Sequence, residues 1–276
     1  MPIATRSRRI GAVVCPAISP PGAAGAGQNA FMAYEVEALA DRCRAVLGDP
    51  DRWFKPDGYP NSLALCIVDS IFSTGSHYQA VINVVRRYRD LRGPAAETDG
   101  TAELLSTFAD HDGARGWAEH MKNRKPASTR PGASLKAAVV EQVAINLDEA
   151  GVCTTADLRQ RADPTYEQTS RATKALWTSA EAQSSGITWE YALILAGLPR
   201  VKADRMVIRF VTEATGASTI DPTQAAQLVV AGQEVVDVSR GWLVAQLHWF
   251  HADAAAISRP PAGIWPRGLR RAVVAQ

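Results

Sequence analysis

A carboxylate at the start of a helix is the first residue in this chain whose type and place could do chemistry. Asp204 follows the stretch Gly197-Leu198-Pro199-Arg200-Val201-Lys202-Ala203 and heads a run in which Val207, Phe210, Val211 and Ala214 recur at helical spacing. A helix N-terminus supplies unpaired N–H groups and the positive end of the macrodipole, so a carboxylate there is favoured in its charged form. A fixed negative charge can stabilise cationic character on a reacting carbon and orient a water. The plainer alternative is that Asp204 only caps its helix. Asp221 is a rival, but Asp221-Pro222-Thr223-Gln224 is a complete capping signature that accounts for it without chemistry.

Two further groups of residues could bind. Arg115, Lys122, Arg124, Lys125, Arg130 and Lys136 stand in a stretch whose single acid is Glu119 and which holds Pro126, Pro131 and Gly132. The whole chain carries 30 basic and 28 acidic residues, a formal charge of only +2, so bulk charge says nothing of nucleic acid and the local loop does. Such a loop either contacts phosphates or is simply solvated. The turn Ser73-Thr74-Gly75-Ser76-His77-Tyr78 is polar and sits between two apolar runs. Cys15, Cys43, Cys66 and Cys153 are far apart, with no CxxC pair, which argues for reduced thiols in a cytoplasm and against a zinc site; no metal or cofactor is expected.

The elements that must position these residues all read as helix. Met32, Val36, Leu39, Cys43 and Val46 form one amphipathic stripe ending at Gly48. After a Pro-rich loop, the apolar run LALCIVDSIF from Ser62 and the stripe Val81, Val84, Val85, Tyr88 and Leu91 predict a buried helical hairpin. Residues 101 to 122 predict a weaker helix or a pair. Ser134 is expected to cap a helix with Leu135, Val139, Val143 and Leu147 inward, ending at Gly151. Thr155 starts a short helix, and others are expected over roughly 166–182, 188–196, from Asp204 and from Asp221, with a last one holding Trp242, Leu243, Leu247 and Phe250. No strand or internal repeat is apparent, which places the fold in the all-α class. With 46% hydrophobic and 21% charged residues and no long apolar run, the composition is that of a soluble globule rather than a membrane protein. The first residues, interrupted by Pro16, Pro20 and Pro21, read as a loose arm.

Two stretches together resemble the helix-hairpin-helix superfamily of DNA glycosylases, in its endonuclease III-like form. SSGITWEYALILAGLPRVKADRMVIRFV is similar to that family's hairpin, apolar helix, small-residue stop, six-residue loop and aspartate motif, with Gly186 as hairpin glycine, Gly197 as stop and Asp204 as the aspartate. CIVDSIFSTGSHYQAVINVVRRYRDL resembles the opening pair of helices, and QAAQLVVAGQEVVDVSRGWLVAQLHWF the helices that precede an iron–sulfur cluster in other members. The chain departs from the pattern at several places. The hairpin is a degenerate A-Q-S-S-G, Thr188 stands where bifunctional members carry a lysine, Met206 replaces a histidine, and residues 250–276 hold no cysteine.

The resemblance implies two helical lobes with a DNA groove between them. One lobe comprises residues 61–203; the other combines 31–60 with 204–276, and 1–30 form the arm. It implies hydrolysis of the N-glycosidic bond of a modified or damaged base flipped out of duplex DNA by a monomer. Asp204 would stabilise the oxocarbenium-like sugar. Thr74, His77 and Tyr78 would fill the gap left by the base. Ser184, Ser185, Gly186 and Thr188 would hold a phosphate, with Arg124, Lys125 and Arg130 on the backbone. Trp177, Trp189 and Tyr191 would line the base pocket, although aromatics at this spacing also suit a core. Candidate substrates are hypermodified cytosines of phage DNA, such as glucosylated hydroxymethylcytosine, excised in phage defence, or a host lesion in repair. The competing reading is a non-catalytic helical DNA-binding protein on the same scaffold. With a hydroxyl at position 188, and Lys174 and Lys202 read as solvated, base release should leave an intact abasic site. Borohydride reduction should therefore trap no enzyme–DNA adduct; efficient trapping would identify a lysine as nucleophile.

Overall fold

Leu63–Phe72 offers no polar face, and the structure encloses it accordingly: all ten residues of this helix are buried. The computed structural model describes residues 23–47 and 57–236. Over them run α1 (Ala23–Leu47), α2 (Leu63–Phe72), α3 (Tyr78–Arg92), α4 (Thr101–Ala109), α5 (Ala114–His120), α6 (Lys136–Glu149), α7 (Thr155–Arg161), α8 (Glu167–Thr178), α9 (Ile187–Leu195), α10 (Arg205–Thr215) and α11 (Pro222–Val236). The described residues contain no strand, only an isolated antiparallel bridge between Pro126 and Leu135, so the fold is all-α. Among them no helix is long and apolar enough to cross a membrane.

Ser62 caps α2 by accepting from Leu65 N at 3.2 Å. Helices α3, α4, α6 and α9 then pack around α2. Its neighbours contribute Phe108 and Trp117, whose rings stack at 4.7 Å, and Tyr88. Trp177 and Trp189 lie in the same core, edge to face at 5.8 Å. A second apolar cluster joins Leu39 and Cys43 of α1 with Val207, Phe210 and Val211 of α10 and Ala225, Leu228 and Val229 of α11. Helix α9 touches both: Leu193 and Leu195 belong to the first cluster, whereas Ile194 packs on the second. The segment from Ala196 to Asp204 therefore starts at the joint between the two cores.

Several boundaries differ from those the sequence predicts. Helix α1 begins at Ala23, inside the stretch read as a loose arm. Residues 101–122 form a pair of helices, α4 and α5. Helix α8 stops at Thr178, since the chain turns at Ser179 and Ala182 takes a left-handed φ of 60°. Ser134 is not the cap of α6: Leu135, bridged to Pro126, occupies the N-cap position one residue later. The expected helix around Trp242 to Phe250 lies outside the described residues.

The turn after α2 is held from below by a lysine. Lys136, the first residue of α6, is 3% exposed, and its Nζ donates to Phe72 O at 2.9 Å, to Ser76 Oγ at 3.0 Å and to Thr74 O. It thus faces inward rather than joining the solvent side of the basic loop. Burial, with the Lys125 charge adding to it, pulls its ammonium down from 10.5 to about 8. Between those values the unfolded chain holds a proton that the folded chain has lost, so the lysine contributes stability that rises as pH climbs from about 8 toward 10.5. Lys136→Met should cost on the order of 1–3 kcal/mol through the carbonyls left without their donor. It should also flatten the rise, measured by urea denaturation at about pH 7.5 and about pH 9.5. Identical pH dependence in both proteins would show that Lys136 is not desolvated.

Candidate active site

The site begins with a loop that has to fit against the end of α9. Gly58 has φ +59°, and a Cβ there would lie 2.5 Å from Leu195 O, so only glycine lets the backbone approach this closely. Tyr59 N then donates to the same Leu195 O at 2.6 Å. Arg159 fastens the loop further, its Nη1 donating to Pro60 O at 2.7 Å and Ala196 O at 2.9 Å. So anchored, Tyr59 reaches over α2, and its hydroxyl donates to Asp69 Oδ2 at 2.8 Å.

Asp69 is the acid of the otherwise apolar α2 and is 2% exposed. Its second oxygen, Oδ1, has no partner within ordinary hydrogen-bond geometry, and the Tyr191 hydroxyl is a further donor beside the carboxyl. Burial pushes the Asp69 carboxyl above the usual carboxylate range, against the opposing pull of Tyr59, Lys202, Tyr191 and Arg89. The same burial, reinforced by the Asp69 charge, raises the phenols of Tyr59, Tyr191 and Tyr78. Tyr78 is 44% exposed as a residue.

Lys202 lies within electrostatic reach of Asp69. Its Nζ stands 4.0 Å from the centre of the Tyr191 ring, 3.5 Å from Ser73 Oγ and 3.9 Å from Asp204 Oδ2. Burial pulls its ammonium down, opposed by the charges of Asp204 and Asp69. The expectation of a solvated Lys202 is thus corrected: its side chain is 13% exposed. Asp204 caps α10, Oδ1 accepting from Met206 N at 2.9 Å and Val207 N at 3.4 Å, and its side chain is 22% exposed. Lys202 thus feels the charges of both Asp69 and Asp204, with the turn of Ser73 beside it.

The other residues singled out from sequence divide into two sets. Thr74, His77 and Tyr78 are exposed on the turn, and Lys125 Nζ reaches it, 3.4 Å from Gly75 O. Arg124 lies 3.8 Å from Glu119, and Arg130 is exposed. Tyr191 joins the site. Thr188 does not face a ligand surface: it is 5% exposed, accepts from Trp177 Nε1 at 2.9 Å and donates to Gln183 Oε1 at 2.5 Å. Trp177 and Trp189, 0% and 2% exposed, are core aromatics with no ring face open to a base. Ser184 and Ser185 are exposed at the turn before α9, Ser185 Oγ accepts from Ile187 N at 3.4 Å, and Gly186 is left-handed at φ 70°. Lys174 pairs with Glu190 at 2.9 Å instead of standing in solvent alone. Asp221 caps α11 through Thr223 N and Gln224 N, as its sequence context predicts.

Asp69 and Tyr59 were not among the residues picked out from sequence. The signal for Asp69 is present, since one acid interrupts an apolar run of ten. For Tyr59 none exists, because its place depends on the contact with Leu195. Open clefts elsewhere, one beside Ser134, Gln142 and Glu181 and one beside Arg86, Arg87, His120 and Lys122, bring together no comparable set of acid, amine and phenols.

No curated protein and no solved structure matches the chain. A family model does, over residues 37–249, a span that takes in Tyr59, Asp69, Lys202 and Asp204. The chain belongs to the family described as domain of unknown function DUF8548.

Proposed function

We propose that the protein is a monofunctional DNA glycosylase that excises a modified or damaged base, leaving an abasic site, with Asp204 as the catalytic carboxylate. The observation that carries this reading is the meeting, through Lys202 Nζ, of the turn at Ser73 with Asp204, residues far apart in sequence. A base-excising enzyme needs a gap-filling turn and a fixed negative charge within one nucleotide of each other. The exposed Thr74, His77 and Tyr78, with Lys125 behind them, suit the first requirement. Asp204 suits the second: backbone N–H groups fix one oxygen, and the other lies 3.9 Å from Lys202 Nζ.

In the proposed reaction the bond between C1′ and the base nitrogen breaks and the electron pair leaves with the base. Asp204 stabilises the positive charge that grows on the sugar, water adds to C1′, and the proton that the water gives up balances the one taken up by the departing base. DNA would be held by sequence-independent contacts from Lys125, Arg124, Arg130 and the turn at Ser184 to Gly186. The substrate is a modified cytosine of phage DNA or a host lesion, in a cytoplasmic monomer.

Asp204→Asn preserves the cap, because asparagine caps about as well as aspartate. It should stay folded and bind duplex DNA, while single-turnover base release falls by roughly two to four orders of magnitude, equivalent to about 3–5 kcal/mol of transition-state stabilisation. Asp221→Asn should be nearly silent. Mass spectrometry of bases released from genomic DNAs, one of them carrying glucosylated hydroxymethylcytosine, supplies the assay. Release undiminished by Asp204→Asn would remove Asp204 from the chemistry, and absence of release from every DNA, with salt-sensitive binding intact, would select a binding protein instead.

A further inference from the structure

The arginines of α3 divide by what answers their charge. Arg89 pairs with Glu97 at 2.6 Å and Arg92 with Asp99 at 2.8 Å. Arg86 and Arg87, earlier in the same helix, form no ion pair among the described residues. Both line an open cleft between α3 and the end of α5, together with Asp90, His120 and Lys122. Asp90, the acid of that cleft, pairs with none of the cations around it. Two guanidiniums and an ammonium thus meet a single carboxylate in one recess, and no apolar side chain lines it.

The charges are held in place rather than scattered over the surface. Arg87 is half-buried, and its Nη1 donates to Met121 O at 2.8 Å, which fixes the guanidinium over the C-terminus of α5. Lys122 follows that C-cap residue with a left-handed φ of 51°. The helix closes around it, with Lys122 N donating to Glu119 O at 3.0 Å and Asn123 N to Ala118 O at 2.9 Å. Glycine is the residue suited to such a helix end, because a Cβ strains the left-handed backbone. A lysine stands there against local preference, and what it adds over glycine is a charge at the mouth of the recess.

The recess continues the basic side of the proposed site. Lys125, three residues beyond Lys122, reaches Gly75 O of the turn at 3.4 Å. Helix α3 leaves the same turn at Tyr78 and brings Arg86 about 12 Å along its axis, at 1.5 Å per residue. Phosphates of one strand advance about 3.4 Å per nucleotide along a duplex, so this separation is about three to four nucleotides. Guanidinium forks bind phosphate oxygens through paired N–H donors, and an ammonium does so as a point charge.

We infer, resting on the glycosylase reading above, that the recess of Arg86, Arg87 and Lys122 binds a phosphodiester of the DNA backbone, a few nucleotides from the turn that meets the extruded base. The contact is sequence-independent and lengthens the DNA footprint along α3.

The test uses the full chain and a short unmodified duplex, with binding measured across a range of salt. Lys122→Gly and Arg86→Gln each remove one charge; Arg87 is left in place because it also ties Met121 O. Lys122→Gly should melt at or above the wild-type temperature, since glycine suits the left-handed position. It should nevertheless bind the duplex about threefold more weakly near physiological salt and lower the slope of log K against log salt by about 1. Lys122→Gly combined with Arg86→Gln should lower the slope by about 2, equally on two duplexes of unrelated sequence. Arg171→Gln, which removes a guanidinium paired with Glu167 on α8, is the control and should leave the slope unchanged. Unaltered slopes in both the single and the double variant, a loss confined to one duplex sequence, or no duplex binding by the wild type would overturn the inference. Inorganic phosphate is the second probe: calorimetric binding of the ion that both substitutions abolish, with duplex slopes untouched, would assign the recess to a small phosphorylated ligand and overturn it too. Slopes that fall as expected, in a protein that releases no base from any DNA, would sink the glycosylase reading and leave the recess standing. Base release by the wild type, with slopes indifferent to these substitutions, would do the reverse.

Discussion

A ten-residue helix without an exposed face has to be surrounded, and the rest of the molecule follows from that requirement. Helices α3, α4, α6 and α9 enclose α2 on its several sides, with Phe108, Trp117, Tyr88 and Trp189 filling the space between them. Enclosure on this scale is driven by apolar burial, which favours any polar group's removal from the same helix. Asp69 is retained there nevertheless, bonded to Tyr59 and flanked by the Tyr191 hydroxyl. The Tyr59 loop is in turn fixed by the end of α9, so the helix that closes the core also sets the position of the phenol.

Burying α2 also determines where its C-terminus emerges and what can be done with the turn that follows. Ser73 N–H is tied to Asp69 O at 2.9 Å, and Lys136 binds the carbonyls of Phe72 and Thr74 from beneath. A buried cation that serves as a C-terminal cap suits the negative end of the α2 dipole. With its carbonyls answered from inside, the turn presents Thr74, His77 and Tyr78 outward. For the proposed function this division of labour matters: Lys136 positions the turn, while Lys125 at its edge remains available to a phosphate.

Much of this framework is legible in the sequence, for identifiable reasons. The ten-residue apolar run and the stripes of α3 and α10 are strong periodic signals, and Asp204 and Asp221 cap the helices they head because the carboxylate reaches N–H groups two and three residues on. Ser134 is not the cap because the bridge between Pro126 and Leu135 holds the chain extended one residue further, which puts Leu135 at the N-cap position. Thr188 looks like a surface hydroxyl in sequence, but the indole of Trp177 needs an acceptor inside the core and Thr188 supplies it. Lys202 reads as loop because charge ordinarily seeks water; only the folded chain reveals the Tyr191 ring beneath it. Each of these departures comes from a partner distant along the chain, which no local pattern records.

Capping and chemistry are compatible in one aspartate because a carboxylate has two oxygens. Asp204 commits Oδ1 to the backbone of α10, and those hydrogen bonds fix the plane of the carboxyl, while Oδ2 lies 3.9 Å from the Lys202 ammonium. In the proposed enzyme the bonds that cap the helix therefore also hold the acting carboxylate in one orientation, beside the ammonium that links it to the turn at Ser73.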